Sequence, residues 1–464
     1  MYIIPQLSVS RISCLNSCNS AEDFFFLAMP YMKDSPSILF LSGEETDCSR
    51  YCVAGWDPLI IISSKARNAH LWIKGKDVAK SFRHYDVLLY IDEVINHLSR
   101  DISDHAEPFI GGFMGYVAYE YKNMIEPCLP QMAKDDLGLP DMFWMFPSRL
   151  MIFDKRENRL QAYSWHFSDK KKLSFASGIK NRELDSFEFG PIRSNFSRDT
   201  YIKAVKKIKD YIRHGDVYQV NLSQRFYAEF RGDPLSLFYR LFISKPAPFY
   251  AYINAGDYHI VSTSMERFLW SNGRIIETRP IKGTRPRGRT EEEDLQYEQD
   301  LLTNQKDDAE ISMIVDLLRN DLGKICLPGS VRVKEHKRIE TYAYVHHLVS
   351  IIEGELVDYE DMFTRIINAT FPGGSITGCP KIRAMEIIDE IEPNVRHVYT
   401  GSIGYFGLHR KMDLNIAIRT MIIKGKISYY GAGGGIVYDS DPEAEYEETL
   451  NKAEVFFGAK GKSR

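Results

Sequence analysis

The sequence predicts a mixed chain of strands and helices that does not follow an alternating βαβ plan. Short apolar runs bounded by turn residues fill roughly the first 185 residues, which indicates strands with few helices. Helical periodicity is clear only at well-separated places in the second half, and no internal repeat occurs. The chain has 464 residues, of which 44% are hydrophobic, so it has ample material for a large core.

The predicted strands of the first half follow one another along the chain. They cover residues 37–41, 59–63, 87–90 and 150–153, each an apolar run that ends at turn residues. Residues 168–196 are polar and rich in Lys and Ser, which is typical of a linker. We therefore expect a strand-rich N-terminal region over residues 1–185 and a second region over residues 196–458.

Three helices are predicted in the second half. Ser197 can cap the first, apolar residues recur after it at helical spacing, and Gly215 ends it. Residues 217–226 then indicate a strand. A second helix is predicted over residues 306–322, and a third begins near Pro442, a favoured first helical residue, and continues toward Phe457.

Charge and composition exclude several classes of protein. Lys and Arg number 59 and Asp and Glu number 63, a net charge of −4 that disfavours non-specific binding to nucleic acid or to an anionic membrane. No apolar run is long enough to cross a membrane, and the N-terminus does not resemble a secretion signal. Seven cysteines, an odd number in a long chain, argue against a disulfide framework. We expect a cytoplasmic protein.

Two pairs of carboxylates stand at the starts of predicted helices. Asp307 and Glu310 are three residues apart, as are Glu445 and Glu448, so each pair shares one helix face. Carboxylates from two helices could together hold a hard divalent cation such as Mg²⁺. Acidic residues in a first helical turn are also favoured by the helix dipole, and spacing alone favours this simpler explanation.

Glycine-rich and basic stretches are further candidates for a binding site. Residues 431–435 and 371–381 are glycine-rich and precede helices, where backbone N–H groups can bind anions, although tight turns are the more common reason for such stretches. Residues 279–290 are basic, which suits either an anionic ligand or a solvated loop balanced by the acidic residues 291–294. Within them, Lys282 could act as a nucleophile if its pKa were lowered from about 10.4.

Eight stretches of the second half, taken together, resemble the chorismate-utilising enzymes. The N-terminal half is similar only loosely, through residues 49–51 and 111–116. The eight occur in the order of that family, and they cover residues 215–223, 279–284, 314–321, 347–350, 371–380, 401–405, 418–420 and 431–449.

This resemblance implies the fold and the partners. It implies an α+β fold in which two large antiparallel sheets pack as a sandwich with helices around them, and the N-terminal region contributes to the same body. It also implies chorismate and ammonia as substrates, Mg²⁺ as cofactor, and a separate glutamine amidotransferase subunit as the source of ammonia. None of the seven cysteines stands on the tight G-x-C-x-G turn typical of a glutaminase nucleophile.

Two positions discriminate among the members of the family. Members that add water to chorismate carry a lysine base where Gln219 stands, and glutamine cannot deprotonate water. Among members that add ammonia, anthranilate synthases have alanine where this chain has Lys282, whereas aminodeoxychorismate synthases have lysine. The resemblance therefore implies amination of chorismate at C4, on the route to 4-aminobenzoate and folate.

The resemblance also assigns roles to individual residues. Lys282 would attack C2 of chorismate while Glu266, as general acid, protonates the departing C4 hydroxyl. Mg²⁺ would be held by four carboxylates, namely Glu310, Glu448, Asp307 and Glu445. The residues expected to bind the substrate are Thr284, His347, Ser375, Tyr399, Arg419, Gly433, Gly435 and Lys452.

Two alternatives stay open at this point. The first is an anthranilate synthase component I, which aminates chorismate at C2. The second is a non-catalytic relative that only binds chorismate or tryptophan. Three departures from the family pattern bear on the site: Met265, Cys379, and Asp307, which is one methylene shorter than the usual glutamate.

Overall fold

We describe the fold from a computed structural model of the chain. It describes residues 6–12, 18–43, 46–83, 86–103, 105, 107–167 and 182–459. No helix within these ranges is long and apolar enough to cross a membrane. The α-helices are α1 (Ala21–Met32), α2 (Asp86–Asp101), α3 (Lys122–Ile125), α4 (Arg198–Arg213), α5 (Pro234–Ser244), α6 (Glu291–Thr303), α7 (Gln305–Gly323), α8 (Met362–Thr370), α9 (Lys381–Ile391) and α10 (Pro442–Phe457).

The strands are spread over both halves of the chain. Those of the first half are β1 (Leu7–Ile12), β2 (Ser37–Leu41), β3 (Tyr51–Lys65), β4 (Asn68–Ile73), β5 (Lys76–Arg83), β6 (Gly112–Val117), β7 (Met142–Asp154), β8 (Arg159–Phe167), β9 (Phe187–Phe189) and β10 (Arg193–Ser194). Those of the second half are β11 (Gln219–Gly232), β12 (Phe249–Asn254), β13 (Tyr258–Ser264), β14 (Arg267–Asn272), β15 (Ile275–Arg279), β16 (Ile281–Pro286), β17 (Arg332–Thr341), β18 (Val345–Glu355), β19 (Gly378–Cys379), β20 (Ser402–Gly407), β21 (Lys411–Asn415), β22 (Thr420–Lys424) and β23 (Ile427–Ile436).

These strands form two antiparallel sheets. Sheet I has the order β1-β8-β7-β3-β2-β12-β13-β22-β23-β11, and the short strands β9, β10 and β19 also pair with β11. Sheet II has the order β5-β4-β3-β7-β6-β20-β21-β14-β15-β18, and both β16 and β17 pair with β18. The predicted α+β fold with two large antiparallel sheets is therefore confirmed.

The two sheets share their longest pair of strands, a feature that the sequence did not predict. Residues 51–56 of β3 and 149–154 of β7 belong to sheet I, whereas residues 60–65 of β3 and 142–146 of β7 belong to sheet II. The register shifts between Pro58 and Ile60, where Pro58 lies opposite Pro147. Proline lacks the backbone N–H that a ladder needs, so the pairing is interrupted where the strands pass between the sheets.

The alternation of side chains along the strands divides the core into two clusters. Ile38 and Ile253 of sheet I share one cluster with Phe113 and Leu414 of sheet II. The sequence neighbours of Ile38 and Ile253 point to the opposite face of sheet I. On that face Tyr252 of β12 packs on Phe238 of α5, with ring centroids 5.7 Å apart. Sheet I is thus buried on both faces, between sheet II and a layer of helices.

The helix predictions for the second half are confirmed. The side chain of Ser197 accepts a hydrogen bond from the Thr200 N–H at the start of α4, and α4 ends two residues before Gly215. The second and third predicted helices are α7 and α10, and α10 has the bounds predicted for it. The strand predicted over residues 217–226 is β11, which continues further, to Gly232.

The prediction of a strand over residues 87–90 is wrong, because these residues lie in α2. A short apolar run is compatible with either a strand or a buried helix. Buried apolar residues continue beyond it at helical spacing, through Ile91, Val94, Ile95 and Leu98. Most of the predicted linker, residues 168–181, lies outside the described residues, so the boundary between the two predicted regions stays a prediction.

Candidate active site

All the residues predicted to form the site line a single cavity of about 640 Å³. They come from separate parts of the chain, on β16, α7, β18, β23 and α10 and on the loops that follow β13, α8, α9 and β21. The cavity brings together Glu266, Lys282, Thr284, Asp307, Glu310, His347, Ser375, Tyr399, Arg419, Gly433, Gly435, Glu445, Glu448 and Lys452.

Glu266, the predicted general acid, is held in an environment that favours its protonated form. Only 5% of the residue is exposed, and the Ser375 hydroxyl donates a hydrogen bond of 2.6 Å to its Oε1. Burial raises the pKa of the Glu266 carboxyl to about 7, although the Ser375 hydrogen bond and the charge of Lys282 act in the opposite direction. A carboxyl of this kind can give up a proton near neutral pH.

Lys282, the predicted nucleophile, lies in β16 with its ammonium 3.8 Å from Oε2 of Glu310. The next residue, Gly283, has φ = +79°, a conformation that side chains other than glycine rarely adopt. A Cβ at this position would lie 3.0 Å from Cγ of Asp307. The glycine therefore allows β16 to approach the start of α7, which brings Lys282 close to the carboxylates of that helix.

The four carboxylates predicted to bind metal each have a polar partner from the protein. Besides the Lys282 contact of Glu310, Asp307 accepts a hydrogen bond of 2.8 Å from Nη2 of Arg285. Glu448 forms an ion pair of 2.6 Å with Lys452, and Glu445 accepts a hydrogen bond of 2.7 Å from the Ser440 hydroxyl. Burial, together with the charge of Glu448, raises the pKa of Glu445.

These carboxylates suit a hard divalent cation by their chemistry and by their placement. A Cβ on Gly434 would lie 3.0 Å from Glu445 Oε2 and 3.8 Å from Glu448 Oε1, so both carboxylates converge on this glycine. Mg²⁺ prefers oxygen ligands, commonly takes one or two carboxylates and keeps several waters. The acidic residues of the wall, on α7 and α10, thus offer the kind of oxygen ligand that such a cation takes.

The structure does not bring the four carboxylates into a closed ring. Among the described residues, one group of three His, Cys, Asp or Glu side chains has its ligand atoms within 4.8 Å of one another, and it lies elsewhere, at Asp294, Glu298 and His346. His346 there is hydrogen-bonded to Asp294 and to the Thr341 hydroxyl, as expected of a satisfied core histidine.

Another part of the cavity wall presents groups that suit an anion. Arg419 has φ = +48°, a strained conformation for an arginine, and none of the ion pairs formed among the described residues involves its guanidinium. Nδ1 of His347 and the hydroxyl of Thr284 share a hydrogen bond of 2.9 Å. The buried Nε2 of the same ring has no partner among the described residues. Burial and the charge of Arg419 lower the pKa of His347 to about 3, so the ring is neutral.

The glycines of β23 form the floor of the cavity. A Cβ on Gly431 would lie 2.5 Å from the ring of Tyr399, so only glycine lets that ring lie against the strand. Lys452 donates a hydrogen bond of 2.7 Å to the backbone oxygen of Gly433, which fixes α10 to the same strand. The glycine-rich stretch over 431–435 thus packs closely against a side chain while it lines the cavity.

Sequence reasoning missed several residues of the wall, among them Asn221, Arg285 and Lys306. Arg285 belongs to the basic stretch 279–290, which was a candidate only as a whole. Most basic side chains of that stretch are paired with carboxylates. Arg279, for example, contacts Glu277 and Asp47. Counting every charged residue of the wall gives five carboxylates (Glu266, Asp307, Glu310, Glu445, Glu448) and five cations (Lys282, Arg285, Lys306, Arg419, Lys452).

Comparisons with known proteins give the family. The sequence pattern of the chorismate binding enzymes matches residues 38–458. The chain is 37% identical over 431 residues to aminodeoxychorismate synthase component 1 of Bacillus subtilis, covering 88% of this chain and 89% of that protein. It is likewise 37% identical over 425 residues to anthranilate synthase component 1 of Cereibacter sphaeroides, covering 87% and 85% of the two chains.

A solved structure agrees with the sequence comparisons. The crystal structure of anthranilate synthase component I from Streptococcus pneumoniae has a TM-score of 0.74 and 32% sequence identity, covering 89% of this chain and 94% of that one. The family match over residues 38–458 includes every residue of the cavity wall. The chain therefore belongs to the chorismate binding enzyme family and is a chorismate-utilising enzyme.

Proposed function

We propose that this chain aminates chorismate at C4 to give 4-amino-4-deoxychorismate, with Mg²⁺ as cofactor and ammonia as the nitrogen source. The observation that carries the proposal is the presence in one cavity of Lys282 and of a buried Glu266 whose pKa is raised to about 7. A nucleophile and an acid are the two groups that exchange of a hydroxyl through a covalent intermediate requires.

The charge of the cavity supports a dianionic substrate that binds together with a divalent cation. Five carboxylates and five cations line the wall, so it is close to neutral when Glu266 is ionised. Chorismate carries two carboxylates, and Mg²⁺ contributes the two positive charges that balance them. The bound ion would be held by Glu310 and Glu448, and it supplies a positive charge that holds one substrate carboxylate.

The second substrate carboxylate suits Arg419. This arginine has the planar, two-pronged donor geometry that matches a carboxylate, and Tyr399 lines the same cavity. The backbone of Gly433 and Gly435 lets the substrate approach closely. We assign the enolpyruvyl carboxylate to this side and the ring carboxylate to the side of the acidic residues.

The reaction then follows in two steps that balance. A proton first passes from the Lys282 ammonium to the Glu266 carboxylate, which leaves the total charge of the wall unchanged. The Lys282 amine then forms a bond to C2, the ring double bonds shift, and the C4–O bond breaks as Glu266 gives its proton to the departing hydroxyl, which leaves as water. Ammonia forms a bond to C4, the double bonds shift back, and the C2–N bond to Lys282 breaks. The ammonia loses a proton, which returns Glu266 to its acid form.

The nitrogen source is inferred from the absence of a glutaminase nucleophile in the cavity. No cysteine is among the described residues that line it, and hydrolysis of glutamine usually requires an activated cysteine. Relatives are named as component 1, which supports a second component in their assemblies. We propose that a glutamine amidotransferase subunit supplies ammonia to this chain.

The second candidate is amination at C2, the anthranilate synthase reaction. Relatives with either name match this chain at 37% identity, so overall similarity does not favour one reaction. Lys282 favours the C4 reaction, because a nucleophile in contact with C2 occupies the position that ammonia would attack in the C2 reaction.

The first prediction concerns the product. Purified chain given chorismate, Mg²⁺ and ammonium should form 4-amino-4-deoxychorismate, identified by mass and by its difference in retention from anthranilate. With glutamine as the sole nitrogen source and ammonium removed, no product should form until a glutaminase subunit is added. Anthranilate as the main product would contradict the assignment to C4, and sustained use of glutamine by the pure chain would contradict the need for a partner.

The second prediction concerns the nucleophile. Lys282→Ala should lower the rate of 4-amino product formation by at least about 10²-fold, because the covalent step is lost. Residual attack by ammonia at C2, which would give anthranilate, is the expected side reaction. Lys334→Ala, an exposed lysine remote from the cavity, serves as the control. A wild-type rate in the Lys282 variant would show that another group is the nucleophile.

The third prediction concerns the pH dependence of stability. The folded pKa of Glu266 is about 7 against an ordinary value of 4.5, so the folded chain binds a proton that the unfolded chain releases between these values. Wild-type stability should therefore fall as pH rises through this window, by roughly 3 kcal/mol at most. Glu266→Gln removes the effect, so its melting temperature should exceed that of wild type at pH 8 but not at pH 4.5.

The control for this experiment is Glu447→Gln, an exposed neighbour of the site on α10. Its melting temperature relative to wild type should not vary between the two pH values. If the Glu266 variant shows the same constant difference, burial does not hold Glu266 in its protonated form.

A further inference from the structure

Arg396 lies behind the cavity and contacts three separate segments of its wall. Its side chain is 2% exposed. The guanidinium donates hydrogen bonds to the backbone oxygen of Asn221 (2.7 Å), to the backbone oxygen of Ile376 (3.1 Å) and to the Thr400 hydroxyl (3.4 Å). These acceptors belong to β11, to the loop after α8 and to the segment before β20.

The remaining donors of Arg396 bind one buried carboxylate. Glu392 accepts hydrogen bonds of 2.6 and 2.8 Å from the guanidinium, and its Oε1 also accepts from the backbone N–H and the hydroxyl of Ser223. Together with the three contacts above, this uses all five N–H groups of the arginine. A lysine offers its three donors from a single point, so it cannot reproduce this pattern.

Each segment that Arg396 contacts carries a group of the site. Asn221 lines the cavity itself, Ile376 directly follows Ser375, and Thr400 directly follows Tyr399. Ser375 in turn donates the hydrogen bond that orients Glu266. One buried side chain therefore connects β11, the hydroxyl beside the general acid, and the tyrosine over Gly431.

We propose that Arg396 is a positioning residue for the reaction, which fixes Ser375, Tyr399 and Asn221 relative to one another through its three hydrogen bonds to their segments. The proposal rests on the proposed function for the role of Glu266. The alternative is a buried ion pair that only stabilises the fold. A purely stabilising pair could be replaced by apolar residues with little loss, because burying two charges is itself costly.

The test separates these two roles with two variants. Arg396→Lys keeps the charge opposite Glu392 but loses the contacts to the three segments. The double variant Glu392→Leu with Arg396→Met removes both charges, so no carboxylate is left buried alone. The control is Arg50→Lys, which alters another two-pronged ion pair, with Asp154, outside the residues of the cavity.

Steady-state kinetics with chorismate, Mg²⁺ and ammonium give the readout. Both Arg396 variants should lose about 10²-fold in kcat, since displacements of about 1 Å can have that effect, whereas KM for chorismate should change far less. The upper pH limit of kcat should also move to higher pH, because displacement of Ser375 removes the hydrogen bond that lowers the pKa of the buried Glu266, which faces Lys282. Arg50→Lys should retain the wild-type kcat and pH limit.

The outcomes decide between the two roles. A folded Arg396 variant with wild-type kcat and pH limit, and only a lower melting temperature, would overturn the proposal. If the double variant does not fold, Arg396→Lys and Thr400→Val decide it by the same criteria; the second variant removes the 3.4 Å bond from Arg396 together with the hydrogen bond of the Thr400 hydroxyl to the backbone oxygen of Tyr399. If the wild-type product proves to be anthranilate, the proposed function is wrong, while the kcat comparison still tests Arg396 for that reaction.

Discussion

The constraint on which the site depends is the balance of charge inside one cavity. Isolated charges are costly to bury, so each carboxylate of the wall must face a cation, a hydrogen-bond donor or a proton. Glu310 faces Lys282, Asp307 faces Arg285 and Glu448 faces Lys452. Glu266 meets the same requirement by taking up a proton, because burial raises the pKa of its carboxyl to about 7. The same balance supports the proposal that a dianion and a divalent cation bind there together.

The fold meets this constraint by bringing distant segments to one edge of the sheets. Sheet I contributes the glycines of β23, and sheet II contributes Lys282 from β16 and His347 from β18. The sheets hold a fixed relation because β3 and β7 belong to both. The first turns of α7 and α10 also reach the cavity, and there the helix dipole favours the carboxylates of Asp307 and Glu445. Arg396, which is buried outside the cavity, is hydrogen-bonded to three further segments of the wall.

What could be predicted from the sequence was largely local or motif-based. The spacing of Glu445 and Glu448 placed them on one helix face, and Ser197 and Pro442 marked helix starts that the structure confirms. The partners of those groups could not be predicted, because Arg285 and Arg396 act through contacts between residues remote in sequence. The helix at residues 87–90 was missed for a different reason, since a short apolar run does not distinguish strand from buried helix. The passage of β3 and β7 between the sheets depends on register, which no periodicity reveals.

Calorimetric titration of chorismate into the purified chain, with and without Mg²⁺, tests the joint binding of substrate and cation most directly. Wild type should bind chorismate in a Mg²⁺-dependent manner. Glu310→Gln and Glu448→Gln should each weaken that binding by about tenfold or more, because a neutral amide is a poor ligand for a hard cation. Glu447→Gln, on the same helix as Glu448 but outside the cavity wall, should bind like wild type. Equal, Mg²⁺-dependent affinity in all four proteins would contradict the account.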